Sequence, residues 1–321
     1  MRIIFFGTPN FAANNLTALI KEGHEIAAIV TAPDSKKGRG KKLQATAVKE
    51  IGINNNIPVL QPKNLKDEIF INALKDINAE VFVVVAFRML PESVWSIPQK
   101  GTLNLHTSLL PNYRGAAPIN WVLINGEKHT GITTFFIDHK IDSGAIILQE
   151  EIPLSNRITA ATLHNILMNK GSELLIKTLE TIKKRTVVTK VQEYTSIMQE
   201  APKITKKLCK IDWSKSAESI HNLVRGLSPF LDENTLLKDV AICPSAWFLL
   251  DGKRVKLQST ELIREPNEQH LIIDSDNKNY LSILLEDGAL AIKQLQIEGK
   301  KSMTIRKFLQ GNKIDANCSI S

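Results

Sequence analysis

The sequence is poor in cysteine. It has only Cys209, Cys243 and Cys318, far apart and odd in number. That usage fits a reducing compartment and gives no paired-cysteine metal spacing. Long apolar runs are absent too, and none approaches the ~20 residues needed to span a bilayer. The start, Met1-Arg2-Ile3-Ile4-Phe5-Phe6-Gly7, lacks the longer apolar region of a signal peptide and reads as a buried first strand. A cytoplasmic protein with no membrane contact is expected. The first strand runs into Gly7-Thr8-Pro9-Asn10, the place of a dinucleotide loop, but without glycines at the required spacing. Pro9 also removes a backbone donor, so a nicotinamide or flavin dinucleotide is not expected there. Neither a P-loop nor a nucleophilic-serine elbow occurs. Ser108 lies in Thr-Ser-Leu-Leu-Pro, a turn setting rather than an elbow.

The apolar fraction of 43% over 321 residues is that of a globular protein with a sizeable core, in one large or two ordinary domains. Strand-like runs at 2–7, 26–31, 81–87 and 102–106 alternate with helix-like segments at 11–22, 43–51 and 66–77. The run Val81-Phe82-Val83-Val84-Val85-Ala86-Phe87 is apolar at every position, as a strand covered on both faces requires. This alternation predicts an α/β fold with a doubly wound, mainly parallel, Rossmann-like sheet. Ligands bind such sheets beyond the C-terminal strand ends. Further strands are expected at 131–137 and 145–153, with Asp142 on their connection, then a long amphipathic helix over 159–184 with Thr159 as its N-cap. The basic stretch 185–215 reads as a linker. Five short strands then follow, at 246–250, 254–261, 270–275, 280–285 and 289–297. They are separated by hairpin signals at Asp251-Gly252, Asp276-Asn277 and Asp287-Gly288. These predict a small antiparallel, OB-like β-barrel. The expected domains are 1–188 (catalytic), 189–208 (linker) and 209–321 (barrel).

The net charge is +8, and it is concentrated. Lys36, Lys37, Arg39, Lys41 and Lys42 form one basic segment; Lys203, Lys206, Lys207, Lys210 and Lys215 form another, broken only by Asp212. Two such segments point to a polyanionic partner, nucleic acid first, against the plainer reading of two solvated loops. Gly38 and Gly40 let the first segment bend close to a strand. Arg39, between them, is the choice for a bidentate phosphate contact.

The most informative stretch is Asn104-Leu105-His106-Thr107-Ser108-Leu109-Leu110-Pro111, with Asp142-Ser143-Gly144 downstream. It supplies an amide donor that can stabilise an oxyanion, an imidazole that can move a proton, and a carboxylate that can orient or charge the imidazole. Each alone has an ordinary explanation: a satisfied buried histidine, a turn asparagine, an Asp-Ser-Gly turn. Together they make Asn104, His106 and Asp142 candidate catalytic residues for acyl transfer without a covalent enzyme intermediate.

These residues, with Tyr113-Arg114-Gly115-Ala116-Ala117-Pro118-Ile119, resemble the folate-dependent formyltransferase superfamily. The likeness extends over nearly the whole chain. It takes in Gly7-Thr8-Pro9, the basic loop Gly38-Arg39-Gly40-Lys41-Lys42, Ala201-Pro202-Lys203-Ile204-Thr205-Lys206 with Ile211-Asp212-Trp213, Arg225-Gly226-Leu227, and Gly299-Lys300-Lys301-Ser302-Met303. Departures such as Asn10, Asn112, Lys207, Ala145 and Ile297 leave the Asn-His-Asp set intact. The resemblance implies 10-formyltetrahydrofolate as formyl donor, with Ser108, Leu109, Leu110 and Pro111 in its pocket. It implies the amino group of methionine on initiator tRNA as acceptor. The tRNA would be held by Lys36, Lys37, Arg39, Lys41, Lys42, Lys203, Lys206 and Lys207 and by the barrel. No metal site and a monomer are expected. Two other functions compete: a formyltransferase acting on a small amine such as an amino nucleotide sugar, and a non-catalytic RNA-binding protein. The basic segments weigh against the former and the Asn-His-Asp set against the latter. Asp142 would orient His106, favour its charged form, or take the amine's proton through water; the sequence does not choose among these.

Overall fold

A computed structural model of the protein describes residues 1–37, 42–193, 198–232, 235–237, 242–265, 271–315 and 318–321. The chain begins with β1 (Arg2–Gly7), α1 (Asn10–Lys21), β2 (Glu25–Val30), β3 (Ser35–Lys37), β4 (Lys42–Gln44), α2 (Ala47–Asn54), β5 (Val59–Leu60), α3 (Glu68–Ile77) and β6 (Val81–Val85). It continues with α4 (Glu92–Trp95), β7 (Thr102–His106), β8 (Arg114–Gly115), α5 (Pro118–Ile124), β9 (His129–Phe136), β10 (Ile146–Pro153) and α6 (Ala160–Lys184). Then come β11 (Glu200–Ala201), α7 (Ala217–Gly226), β12 (Ala246–Leu250), β13 (Lys253–Ile263), β14 (Ile272–Ser275), β15 (Leu281–Leu285), β16 (Gly288–Ile297), β17 (Met303–Thr304) and α8 (Ile305–Leu309). Two compact units result. One comprises Met1–Gly115, Thr130–Ile152 and Asn165–Glu200, and the other Ala116–His129, Pro153–His164 and Ala201–Ser321. No helix among the described residues is long and apolar enough to cross a membrane.

The first unit is built on a seven-stranded sheet of order β10-β9-β7-β6-β1-β2-β5. Its five strands from β7 to β5 are parallel, while β9 runs antiparallel to β7. The predicted doubly wound, mainly parallel sheet is therefore present. Strand order reverses between β1 and β6, the crevice at which such sheets bind ligands. Alternation along the strands sorts their side chains onto two faces. Ile4, Phe6, Val30, Phe82 and Val84 share a core with Phe70 and Leu74 of α3 and Val94 of α4. Phe6 and Phe82 stack there at 5.2 Å between centroids. Phe5, Ile29 and Leu105 face the other helices through glycines: a Cβ on Gly52 of α2 would lie 3.0 Å from Ile29, and one on Gly171 of α6 would lie 2.7 Å from Leu105. Gly7 is required for the same reason, since a Cβ there would meet Ala12 of α1 at 2.6 Å.

The expected helix over 43–51 starts later than predicted. Residues 42–44 pair with 35–37 as a hairpin, Lys37 opposite Lys42. The Thr46 hydroxyl then accepts from the Lys49 N–H at 3.1 Å and caps α2. The predicted cap of the long helix is present too: Thr159 Oγ1 accepts from the Thr162 N–H at 3.1 Å.

In the second unit β12-β13-β16-β15-β14 form an antiparallel sheet with β17 added to β16. The eleven-residue β13 shifts register against β16 on both sides of Ser259. Such irregularities bend a strand and let the sheet curl, here into a half-barrel. Its core gathers Trp213, Ile220 and Val224 with Phe248, Leu257, Leu281, Leu295 and Phe308. Trp213 packs edge-on against Phe248 at 5.4 Å. Helix α7, which short-range patterning did not bring out, is capped by Ser216 accepting from the Ser219 N–H at 3.1 Å.

Candidate active site

The parallel register sets Asn104 beside Val84, so Asn104 and His106 lie on the sheet face whose core includes Leu65 and Leu90. His106, the last residue of β7, is 6% exposed. Its Nε2 lies 2.9 Å from the Tyr113 carbonyl, which only accepts, so Nε2 carries a proton and donates. Nδ1 then faces Asp142 Oδ2 at 3.7 Å. Asp142 stands on the β9–β10 connection in the left-handed region, φ 52°. Its Oδ2 also accepts from the Gly115 N–H at 2.9 Å. Asn104 is half-buried and, among the described residues, no hydrogen bond engages its side chain. The structure thus brings the three predicted catalytic residues to one strand end and its neighbouring loop, with the asparagine amide left free to donate.

The predicted donor-pocket residues form a closed turn. Ser108 Oγ donates to the Asn112 carbonyl at 2.7 Å, and the Asn112 N–H donates to the Leu109 carbonyl at 3.1 Å. Thr133 of β9 braces the turn: its hydroxyl donates to the Ser108 carbonyl at 2.7 Å and accepts from the Leu110 N–H at 3.2 Å. Gln149 of β10 donates to both Thr133 Oγ1, at 2.9 Å, and the Leu110 carbonyl, at 2.8 Å. Pro111 follows a cis peptide bond from Leu110. The carbonyls of Ser108, Leu109 and Leu110 therefore each accept an internal bond, and the segment shapes the site as a rigid turn. Sequence reading missed Thr133, Gln149 and the Tyr113 carbonyl. Strand alternation alone marks Thr133 as facing inward, and nothing in the sequence marks exposed Gln149 or the Tyr113 carbonyl.

Beyond the C-terminal end of β6 lies an open groove of about 700 Å³. Lys63, Leu65, Lys66, Arg88, Met89 and Pro91 are among its lining residues. Arg88 is fixed by donating to the carbonyls of Pro62 and Lys63. The groove joins three cations and the carboxylate of Glu92 to apolar side chains. Sequence reading passed over it, because its residues come from two separate loops.

Of the basic residues, Lys36 and Lys37 lie on β3 and Lys42 on β4, whereas Arg39 and Lys41 fall outside the described residues. The hairpin leaves from Asp34, whose carboxylate is tied to Lys49 Nζ at 2.7 Å and Gln61 Nε2 at 2.8 Å. Those two hydrogen bonds hold Asp34 below the usual carboxylate range. In the second unit Lys203, Lys206 and Lys207 are exposed. Nearby, Arg254 stacks over the Trp247 ring at 4.2 Å and Lys210 approaches it at 6.0 Å. Among the described residues no group of three or more His, Cys, Asp or Glu side chains is arranged to hold a metal ion.

A doubly wound sheet with an asparagine, a histidine and an aspartate near one strand end is an arrangement able to support direct acyl transfer. The sequence pattern of the formyl transferase family matches residues 1–179, and that of the formyl transferase C-terminal domain matches residues 203–313. The chain belongs to the formyl transferase family. It is 45% identical over 315 residues to the methionyl-tRNA formyltransferase of Flavobacterium johnsoniae, covering 97% of this chain and 96% of that one. It is 42% identical to the methionyl-tRNA formyltransferase of Parabacteroides distasonis, covering 98% and 96%. Among solved structures, the sugar 3N-formyl transferase WlaRD shares the fold at a TM-score of 0.65 and 22% identity, covering 94% of this chain and 99% of that one. HypX from Aquifex aeolicus, in complex with tetrahydrofolic acid, shares it at 0.63 and 18%, covering 98% and 48%.

Proposed function

We propose that the protein transfers the formyl group of 10-formyltetrahydrofolate to the amino group of methionyl-initiator tRNA, for translation initiation. One observation carries the chemistry: buried His106 faces half-buried Asp142 of the β9–β10 loop, and the unengaged amide of Asn104 lies on the same strand face as His106. Likeness over nearly the full length to enzymes of that name supports the choice of acceptor.

The neutral amine attacks the formyl carbon, a C–N bond forms, and the carbonyl oxygen becomes an oxyanion. Asn104 donates its side-chain N–H to that oxygen. Collapse breaks the bond to the folate nitrogen, which leaves with a proton, while the amine loses one. Nε2 of His106 is committed to the Tyr113 carbonyl, so Nδ1 is the nitrogen that exchanges the proton. Asp142, with one oxygen fixed by the Gly115 N–H, steadies that ring. The donor fits the groove: Lys63, Lys66 and Arg88 suit its carboxylate tail, and Leu65, Met89 and Pro91 suit its flat rings. The turn of Ser108, Leu109, Leu110 and Pro111, which follows His106 in the chain, is assigned to the donor by resemblance to the family.

The acceptor tRNA meets the basic segment of Lys36, Lys37, Arg39, Lys41 and Lys42, and the cations Lys203, Lys206 and Lys207. The half-barrel adds the Trp247–Arg254 stack, a combination of aromatic face and cation suited to nucleic acid. In this reading 1–188 is catalytic, 189–208 links, 209–321 binds tRNA, and the enzyme acts as a cytoplasmic monomer where charged tRNA is made. The test supplies purified protein with 10-formyltetrahydrofolate and offers methionyl-initiator tRNA beside free amino sugars. Formylated methionine on the tRNA is expected. Transfer to a sugar and none to the tRNA would overturn the proposal.

A further inference from the structure

Gln192 lies in the stretch that sequence reads as a linker, yet its side-chain amide uses all four of its hydrogen-bonding positions. Nε2 donates to the carbonyl of Asp142 at 3.0 Å and to the carbonyl of Gly144 at 2.7 Å. Oε1 accepts from Arg114 Nε at 3.2 Å and from Arg114 Nη2 at 2.7 Å. Carbonyls cannot donate and a guanidinium cannot accept, so only one orientation of the amide satisfies this set.

We propose that Gln192 is a positioning residue, whose amide holds the 142–144 loop so that the Asp142 carboxylate stays opposite His106. The kinetic part of this inference rests on the function proposed above.

Within the loop Ser143 Oγ donates to Asp138 Oδ1 at 2.7 Å and to the Lys140 carbonyl at 3.0 Å, but neither bond holds the Asp142 backbone. Asp142 holds a left-handed conformation, φ 52°, uncommon for a non-glycine residue although aspartate tolerates it better than most. The far end is fixed by packing: a Cβ on Gly144 would lie 1.7 Å from the Phe136 carbonyl oxygen, so only glycine fits. Between these ends the Gln192 amide bridges two carbonyls two residues apart and pins the turn. Arg114 and Gly115, adjacent in sequence, reach Asp142 by two routes. The Gly115 N–H binds Oδ2 directly, and Arg114 braces Gln192, which grips the Asp142 backbone. The result is a closed ring of contacts around the carboxylate that faces the imidazole. A carboxylate at position 192 would keep the bond to Arg114 but turn both donors into acceptors against two carbonyls. The Gln192→Glu variant therefore separates anchoring of the segment from control of the loop.

The experiment combines a double-mutant cycle with NMR of the His106 ring in the full-length protein. Gln192→Leu and Gln192→Glu should each lower kcat about 10- to 100-fold, because small misplacement of a catalytic group is costly. KM for either substrate should move less than about threefold, since neither variant alters the substrate-holding residues. In an Asp142→Asn background the same changes should lower kcat less than about threefold, because the residue they position is already lost. The ring nitrogen signals of His106 in both variants should shift toward those of Asp142→Asn. Equal losses in both backgrounds, an unchanged kcat in Gln192→Glu, or unmoved ring signals would each overturn the proposal. If Gln192→Leu fails to fold, Gln192→Glu decides alone. A wild-type enzyme inactive on the tRNA would defeat the functional reading, and the NMR arm would still decide the role of Gln192.

Discussion

Nδ1 of His106 lies 3.7 Å from Oδ2 of Asp142, while Nε2 of the same ring donates to the Tyr113 carbonyl. The ring is thus held on both sides, with one nitrogen left for proton exchange. His106→Ala and Asp142→Asn should each reduce kcat by about 10²- to 10⁴-fold, the usual worth of a positioned acid–base group. Binding of tRNA should persist, because neither residue belongs to the basic surfaces. Steady-state kinetics paired with a direct binding measurement checks both parts; near-normal turnover in either variant would remove that residue from the proton path.

Asn104 differs from its neighbours in having no side-chain hydrogen bond to give up. Asn104→Ala should therefore leave the unfolding midpoint nearly unchanged. It should lower kcat about 10²- to 10³-fold, as expected for loss of one oxyanion donor. A large loss of stability with kcat retained would mean that Asn104 serves the strand rather than the reaction.

Thr133 is fully buried and saturates its hydroxyl, donating to the Ser108 carbonyl and accepting from the Leu110 N–H and Gln149 Nε2. Thr133→Val keeps the shape and strands the Ser108 carbonyl and the Leu110 N–H, while exposed Gln149 keeps its bond to the Leu110 carbonyl. The expected cost is about 2–4 kcal/mol in urea unfolding, each buried unsatisfied group being worth roughly 1–3 kcal/mol. If the turn contacts the donor as proposed, loosening it should also raise KM for 10-formyltetrahydrofolate more than KM for tRNA. Equal changes in the two KM values would detach the turn from the donor site.

How much of this was legible beforehand follows from which residues carry local signals. The uninterrupted apolar run at 81–87 announces a strand covered on both faces, and alternation of strands with helices announces the sheet. Asn104, His106 and Asp142 stand out as candidates because their residue types fit the proposed chemistry jointly. Gln192, Thr133 and Gln149 were not, since a polar residue that braces a loop from far along the chain shows no periodicity or spacing. The groove was hidden for a related reason: its two walls, around Lys63 and Arg88, are joined only by the fold. Helix boundaries slipped where a hairpin pairing preempted local propensity, as at Leu43, which pairs with Lys36 instead of opening α2.

His221 on α7 is buried neutral: Nδ1 accepts from the Thr260 hydroxyl at 2.9 Å, and Nε2 donates to the Asn156 carbonyl at 3.3 Å. Burial is the main cause of its lowered pKa, with Arg225 and Arg264 acting in the same direction and the bond to Asn156 and Glu218 opposing. The folded value lies below the unfolded 6.5, so at acid pH the unfolded chain takes up the proton first. His221 therefore contributes its full stability above pH 6.5, and that contribution is lost as pH falls from there through the folded value. Urea unfolding across this range should show wild type losing stability relative to His221→Gln by up to about 1.4 kcal/mol per pH unit within the window. Parallel curves for the two proteins would show that His221 titrates alike in both states.

The basic residues make a prediction that separates tRNA handling from chemistry. Lys203, Lys206 and Lys207 are exposed, as phosphate-binding side chains require, and surface cations so placed add little to folding. Each phosphate contact releases condensed counterions, so the logarithm of kcat/KM for tRNA should fall linearly with the logarithm of salt concentration. Removing a contact flattens that line by about 0.7 to 0.9. Replacing Lys203, Lys206 and Lys207 together by alanine should flatten it by up to about 2 to 3 and leave the unfolding midpoint in place. Arg39→Ala should flatten it by about 0.7 to 0.9, with kcat/KM lowered at every salt concentration. The measurement is a salt series of initial rates at subsaturating tRNA with donor in excess. A slope unchanged in the triple variant would show that the cations at 203–207 do not meet the RNA, and would confine the electrostatic contact to the hairpin and the half-barrel.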